Sequence, residues 1–359
     1  MALRLLPGAV PGRAFVVGPV PTPFHEDESV DHAALAEQID GWCTQADGLS
    51  GFVLGTYGGE EFHLGEPDKR AIVETAVSAN KGRRAIICGI DTLSSTEAIR
   101  LCHVYASAGA DAVRVRIPAR SSWSGSSTGS DALQNYFAAV TQASPVPVIV
   151  IHQPKPPTGA PDATPAEIAR VCSLPNVHAY IMGLEYRTES LAAALLPASC
   201  ELWGCNGSLC AASGLLGATG ACCFFAMWSP PIIRRIVELA MEGKHELAQA
   251  VQAKIFAADY LGMTWGTPCL KAGLGLLGYR SMRPRCVRIP PFTDTHCSYG
   301  SYDRSTSTAN LLVVPGLFQQ RHSFGGSRLP QAPIVGDELA ELHVAMREGG
   351  VLDSLAPAL

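Results

Sequence analysis

The sequence has no lysine between Lys155 and Lys244, and only six in all of its 359 residues. Chemistry that requires a lysine in the middle of the chain is therefore closed to it. No apolar run reaches the 18 or so residues of a membrane span, so no membrane partner is expected. No basic block stands out, and the net charge is −5 with a pI near 6.1. That balance excludes nucleic acid as an expected partner. The twelve cysteines include no C-x-x-C pair, and the ten histidines have no short-spaced pairing. Zinc wants paired ligands at short spacing, so neither a metal nor a cofactor is expected.

What the chain does have is globular composition, 47% apolar and 16% charged, and enough length for a large core. Cys88, Cys222 and Cys223 sit in apolar, strand-like runs. Reduced, buried thiols in the cytoplasm fit that pattern best. The start, MALRLLPGAVPGRAF, holds Arg4 and Arg13 and no acid before Glu26. That faintly resembles a transit peptide and makes a mitochondrial location the alternative, although strand-like sequence from Phe15 leaves little to cleave.

Eight short apolar runs alternate with helical patterns. They are FVVGPV (15–20), GFVLGT (51–56), AIICGI (85–90), AVRVRIP (112–118), PVIVIH (147–152), VHAYIMGL (177–184), CELWGC (200–205) and GACCFF (220–225). Between them Leu35, Ile39 and Trp42 recur at helical spacing after Asp31, a candidate N-cap. Ile72, Val73, Ala76 and Val77 form another such face after Pro67. Strands about 30 residues apart, buried on both faces, argue for a closed (β/α)8 TIM barrel. A doubly wound sheet would want a glycine-rich phosphate turn after its first strand, and PVPTPF is not one.

The organisation expected is a barrel over 14–228, C-terminal helices over 229–292 and 332–359, and a disordered insertion over 293–331. The helical extension shows patterns at Pro230–Met241, Leu247–Leu261, Cys269–Leu277 and in GDELAELHVAMREGG (336–350). The insertion is rich in Ser, Thr and Gly and has no period.

Barrel enzymes build their sites on the C-terminal ends of the strands. GTYGGEEF (55–62) ends the second strand. Its glycines would let a ligand approach, and Gly55, Thr56, Tyr57 and Glu60 are candidate substrate contacts, with Glu61 beside them. A tight turn would use the same residues. IHQPKPPTG (151–159) ends the fifth strand and offers His152 and Lys155. GCNGS (204–208) follows the seventh and offers Asn206. PNVHAYIMGLEYRTES (175–190) ends in Glu185. A G-x-S-x-G match at Gly125–Gly129 lies in the Ser/Gly-rich stretch SSWSGSSTGS, without the strand–turn–helix elbow a serine hydrolase needs.

Taken in order, these pieces resemble the dihydrodipicolinate synthase / N-acetylneuraminate lyase family. VPTPF (20–24) resembles its first-strand turn and GTYGGE (55–60) its carboxylate-binding turn. AGADAVRVRIP (108–118) and PVPVIVIHQPKPPTG (145–159) resemble its fourth and fifth strands. PNVHAYIMGLE resembles the strand that carries its lysine. LLGATGACCFF (215–225) resembles its eighth strand, and LKAGLGLLG and RCVRIPP (within 270–291) its C-terminal helices. The resemblance covers about 14–292 and 332–352.

It implies a Schiff base between a barrel lysine and a 2-oxo acid such as pyruvate, a tyrosine proton relay on strand five, and a homodimer or homotetramer. The chain departs from that pattern at the chemistry. The lysine slot falls on Ile181 when aligned without a gap, or on Glu185 when aligned on Gly183–Leu184. The tyrosine slot falls on Ile151, and the arginine expected before Thr158–Gly159 is Pro157. The expectation is an aldolase-type lyase of a 2-oxo acid with a rebuilt site, or a catalytically inactive family member serving as a small-molecule binder or oligomer partner. Lys155 is the only lysine placed near the site, as a relocated amine or a carboxylate partner. His152 and Glu185 are the candidate acid–base groups.

Overall fold

The computed structural model describes residues 6–119, 130–153, 163–183, 186–280, 334 and 336–352. Eight parallel strands close into one barrel, each paired with its neighbour in sequence and the eighth with the first. They are β1 (Phe15–Pro19), β2 (Gly51–Leu54), β3 (Ala85–Ile90), β4 (Ala112–Arg116), β5 (Val148–His152), β6 (Val177–Met182), β7 (Glu201–Gly204) and β8 (Gly220–Cys222). All eight expected runs form strands. Several stop short of the run, because their last residues already belong to the mouth; β2 ends where Gly55 turns to a φ of 62°.

The helices between strands are α1 (His32–Thr44), α2 (Glu66–Asn80), α3 (Ser95–Ser107), α4 (Ser130–Ala143), α5 (Pro165–Cys172), α6 (Tyr186–Leu195) and α7 (Cys210–Leu215). Asp31 caps α1, its carboxylate accepting from the Ala34 N–H at 2.8 Å. Pro67 lies in the first turn of α2, where a missing N–H costs nothing. Thr164 and Glu167 form a reciprocal capping box on α5.

After β8 come α8 (Phe225–Trp228), α9 (Pro230–Met241), α10 (His245–Ala253), α11 (Phe256–Trp265), α12 (Thr267–Leu276) and α13 (Gly336–Glu348). The expected helix over Leu247–Leu261 is two helices, parted at Lys254–Ile255. The expected insertion lies outside the described residues, as does RCVRIPP.

Strand alternation sorts the core into two layers. Val17, Val53, Ile87, Ile149, Ile151, Ala179, Ile181 and Trp203 pack together in the lumen. Val16, Phe52, Ile86, Val113, Val148, Val150 and Tyr180 face the helices. Phe15 stacks on Trp203 at 5.1 Å between ring centroids, filling the lower lumen. Leu6 joins the same lumen cluster, so the stretch before β1 covers the lower end of the barrel.

Candidate functional site at the barrel mouth

The turn after β2 is built to be rigid. Tyr57–Gly59 forms one turn of 3-10 helix, and Glu60 follows with left-handed backbone at φ 61°. The N–H groups of Gly59 and Glu61 donate to the Thr56 carbonyl at 2.8 and 3.2 Å. Gly58 is pressed on Pro19, where an added Cβ would lie 2.7 Å from the proline's own. Tyr57 stacks on Phe224 at 5.9 Å, and the Thr267 hydroxyl donates to the Tyr57 carbonyl at 2.9 Å. The Glu60 carboxylate is turned onto Lys271 of α12, and both side chains are wholly buried. Lys271 also sits 4.4 Å from the centroid of the Phe24 ring. The turn is thus clamped from the C-terminal helices.

A cavity of about 80 Å³ opens at the mouth beside this turn. That is room for roughly five to eight water molecules, or one small organic acid. Three of the expected contacts line it: Thr56 and Tyr57 from the end of β2, and Asn206 from the end of β7. The turn that follows Asn206 is braced by Asp259 of α11, whose carboxylate accepts the Ser208 N–H at 2.8 Å. Burial raises the pKa of Asp259.

The other expected residues fall elsewhere. Gly55 borders a separate groove between α2 and α3, along with Glu61, Glu66 and Arg100. Arg100 there is tied to Glu66 and Glu97, so its charge is neutralised. Glu60 is committed to Lys271 rather than to the cavity. His152 is fully buried but follows the lumen residue Ile151, so the period of two places it against the helix layer. Lys155 and Glu185 lie outside the described residues. The three candidate catalytic residues, His152, Lys155 and Glu185, are therefore not brought together by what is described.

Ile151 and Ile181, which the sequence resemblance sets against the family's tyrosine and, in one alignment, its lysine, are register partners across β5 and β6. Both are lumen residues, and Ile151 lines the cavity. None of the described lysines lines it.

Sequence reasoning missed Arg114. Its guanidinium reaches the cavity from β4 and is 3% exposed. Arg116, two residues on, is satisfied: it donates to Asp91 at 2.8 Å and to the Gln153 carbonyl at 2.8 Å. Arg114 Nε and Nη2 have no such partner, nor has the buried Thr56 hydroxyl. Burial, reinforced by Arg116, lowers the Arg114 pKa. The signal was present in AVRVRIP, where two arginines at i and i+2 share one face of an otherwise apolar strand. Cys205 and Cys222 also line the cavity. Burial raises both thiol pKa values, that of Cys222 to about 12, so neither is a ready thiolate.

A closed (β/α)8 barrel with one small cavity at the C-terminal ends of its strands defines the class of protein. The sequence pattern of the Dihydrodipicolinate synthetase family matches residues 14–294, and the chain belongs to that family. A probable mitochondrial 4-hydroxy-2-oxoglutarate aldolase of Emericella nidulans is 30% identical over 299 residues, 81% of this chain and 91% of that protein. A 4-hydroxy-tetrahydrodipicolinate synthase of Anaplasma marginale is 28% identical over 81% of this chain and 93% of its own. Among solved structures, a dihydrodipicolinate synthase from Cyanidioschyzon merolae with lysine bound superposes with a TM-score of 0.73 at 18% identity, covering 95% of this chain and 99% of its own. YagE, a prophage protein of the family from E. coli K12 in complex with pyruvate, gives 0.70 at 18%, covering 94% and 99%. At those identities the likeness speaks for the fold.

Proposed function

We propose that the protein binds a 2-oxo acid such as pyruvate in the barrel mouth and acts on it as a lyase of the aldolase type through a rebuilt site. The observation that supports this most is the convergence of Thr56, Tyr57 and Asn206 on one small cavity in a chain of this family. The relatives named for a 4-hydroxy-2-oxoglutarate aldolase and for a complex with pyruvate point to the same substrate class.

The family's imine cannot form on either residue that occupies the lysine slot, since neither isoleucine nor glutamate carries an amine. Turnover therefore falls to other groups. Glu185, which follows β6 in the chain, is assigned to acid–base work, and Lys155, which follows β5, to partnering the substrate's negative charge. A cation at the mouth would meet the negative charge that develops when a bond beside a carbonyl is made or broken. His152, on the helix side of β5, is left out of that set.

A second reading is favoured by one observation: Ile151 and Ile181 lie side by side in the lumen where the chemistry is expected. On that reading the protein binds a 2-oxo acid and does not turn it over. Thermal shift with a panel of 2-oxo acids, followed by product analysis, separates the two. A shift with product supports the lyase, a shift without product supports the binder, and no shift with any 2-oxo acid contradicts both.

We further expect a homodimer or homotetramer, to be read by light scattering on a sizing column. A cytoplasmic location fits the ten described cysteines, all free, with a mitochondrial one as the alternative that the Emericella relative's name suggests. Among the described residues no helix is long and apolar enough to cross a membrane.

A further inference from the structure

Arg114 and Thr56 come from different strands yet meet over one glycine. A Cβ added to Gly89 would lie 3.2 Å from Arg114 Nη2 and 2.7 Å from Thr56 Cγ2. Gly89 therefore leaves the gap that lets the two side chains approach each other. Arg114 Nε and Nη2 and the Thr56 hydroxyl are all buried without a hydrogen-bond partner among the described residues. A guanidinium stays protonated in proteins and has only donors to offer. Buried without an acceptor it is costly, and the charge of Arg116 adds repulsion that Glu61 and Asp91 oppose more weakly. The groups around it in the cavity are apolar or neutral: Ile151, Cys205, Asn206, Cys222 and Phe224. Glu61 and Asp91 act on Arg114 only through their charge, and among the described residues no carboxylate lines this cavity, which leaves the place of an acceptor to a ligand.

We propose that Arg114 is the charged anchor for the ligand's carboxylate, shared with the Thr56 hydroxyl at the floor of the mouth. The geometry suits a fork-shaped donor meeting a planar anion. The ligand enters carboxylate first, and its carbonyl end stays nearer the opening. This assignment rests on the reading of the mouth as a 2-oxo acid site.

The test is calorimetric titration of the full chain with pyruvate, methyl pyruvate and inorganic phosphate, in the wild type and in Arg114→Met and Arg114→Lys. Loss of a charge-assisted contact predicts about ten- to a hundredfold weaker pyruvate binding in Arg114→Met. Arg114→Lys, which keeps the charge but not the fork, should fall in between. Methyl pyruvate, which has no carboxylate, should bind both proteins alike. Without ligand, Arg114→Met should melt no lower than the wild type, because it removes an unpaired buried charge. Equal pyruvate affinity in wild type and Arg114→Met overturns the proposal, as does a lower melting temperature with binding unchanged. If the wild type binds phosphate through Arg114 but no 2-oxo acid, the anchor stands and the substrate reading fails. If it binds none of the three, both fail.

Discussion

Lys271 of α12 and Glu60 of the turn after β2 form an ion pair with both side chains fully buried. It joins the C-terminal helices to the barrel mouth, at a glutamate held in left-handed backbone. Removing one partner of such a pair leaves an uncompensated buried charge, which costs about 3–5 kcal/mol. Lys271→Met should therefore lower unfolding stability by that amount in urea titrations. Adding Glu60→Gln to Lys271→Met should restore much of the loss. Additive losses in the double variant would show that the two residues do not act as a pair.

A second prediction concerns acid. His178 sits where β6 slips register against β5, between Val177 and Ala179. Its ring packs edge-on against Trp203, and Nε2 lies 3.8 Å from Glu201. Burial lowers its pKa below the ordinary 6.5, against the opposing pull of Glu201. The unfolded chain then takes up this proton at a higher pH than the folded one. The stability it contributes is complete above about pH 6.5 and is lost as pH falls from there through the folded value. Melting temperatures measured from pH 8 to pH 5 should decline below 6.5, and His178→Gln should flatten that decline. An unchanged slope would clear His178 of the effect.

The thiols at the mouth should be poor nucleophiles. With a pKa near 12, Cys222 is thiolate to about one part in ten thousand at pH 8. Mass-spectrometric mapping of native protein after iodoacetamide at pH 8 should find Cys222 unmodified, and denaturation should expose it. Rapid native alkylation of Cys222 would mean that a nearby cation holds the thiolate after all.

The barrel was legible because its strands are buried on both sides and so spell near-continuous apolar runs. Their ends were less legible: the same residues can extend a strand or open a turn, and only Gly55's positive φ decides it. Thr56, Tyr57 and Asn206 were placed at the mouth because a strand end predicts its own neighbourhood, and they line one cavity there. His152 is the last residue of β5, where one step along the strand turns a side chain from the lumen to the helices, a distinction that a motif read as a loop does not carry. Glu60 and Lys271 are 211 positions apart in the chain, and no local pattern announces their contact. Arg114 could have been found, since a charge repeated at i+2 inside an apolar strand needs a reason to be there.

The central claim is that this barrel holds a 2-oxo acid without forming an imine with it. Borohydride reduction in the presence of pyruvate, read by intact mass, tests it most directly when paired with a binding isotherm. The account predicts measurable pyruvate binding and no mass shift after reduction. A covalent adduct would contradict it, and loss of that adduct in Lys155→Ala would place the imine on a relocated lysine.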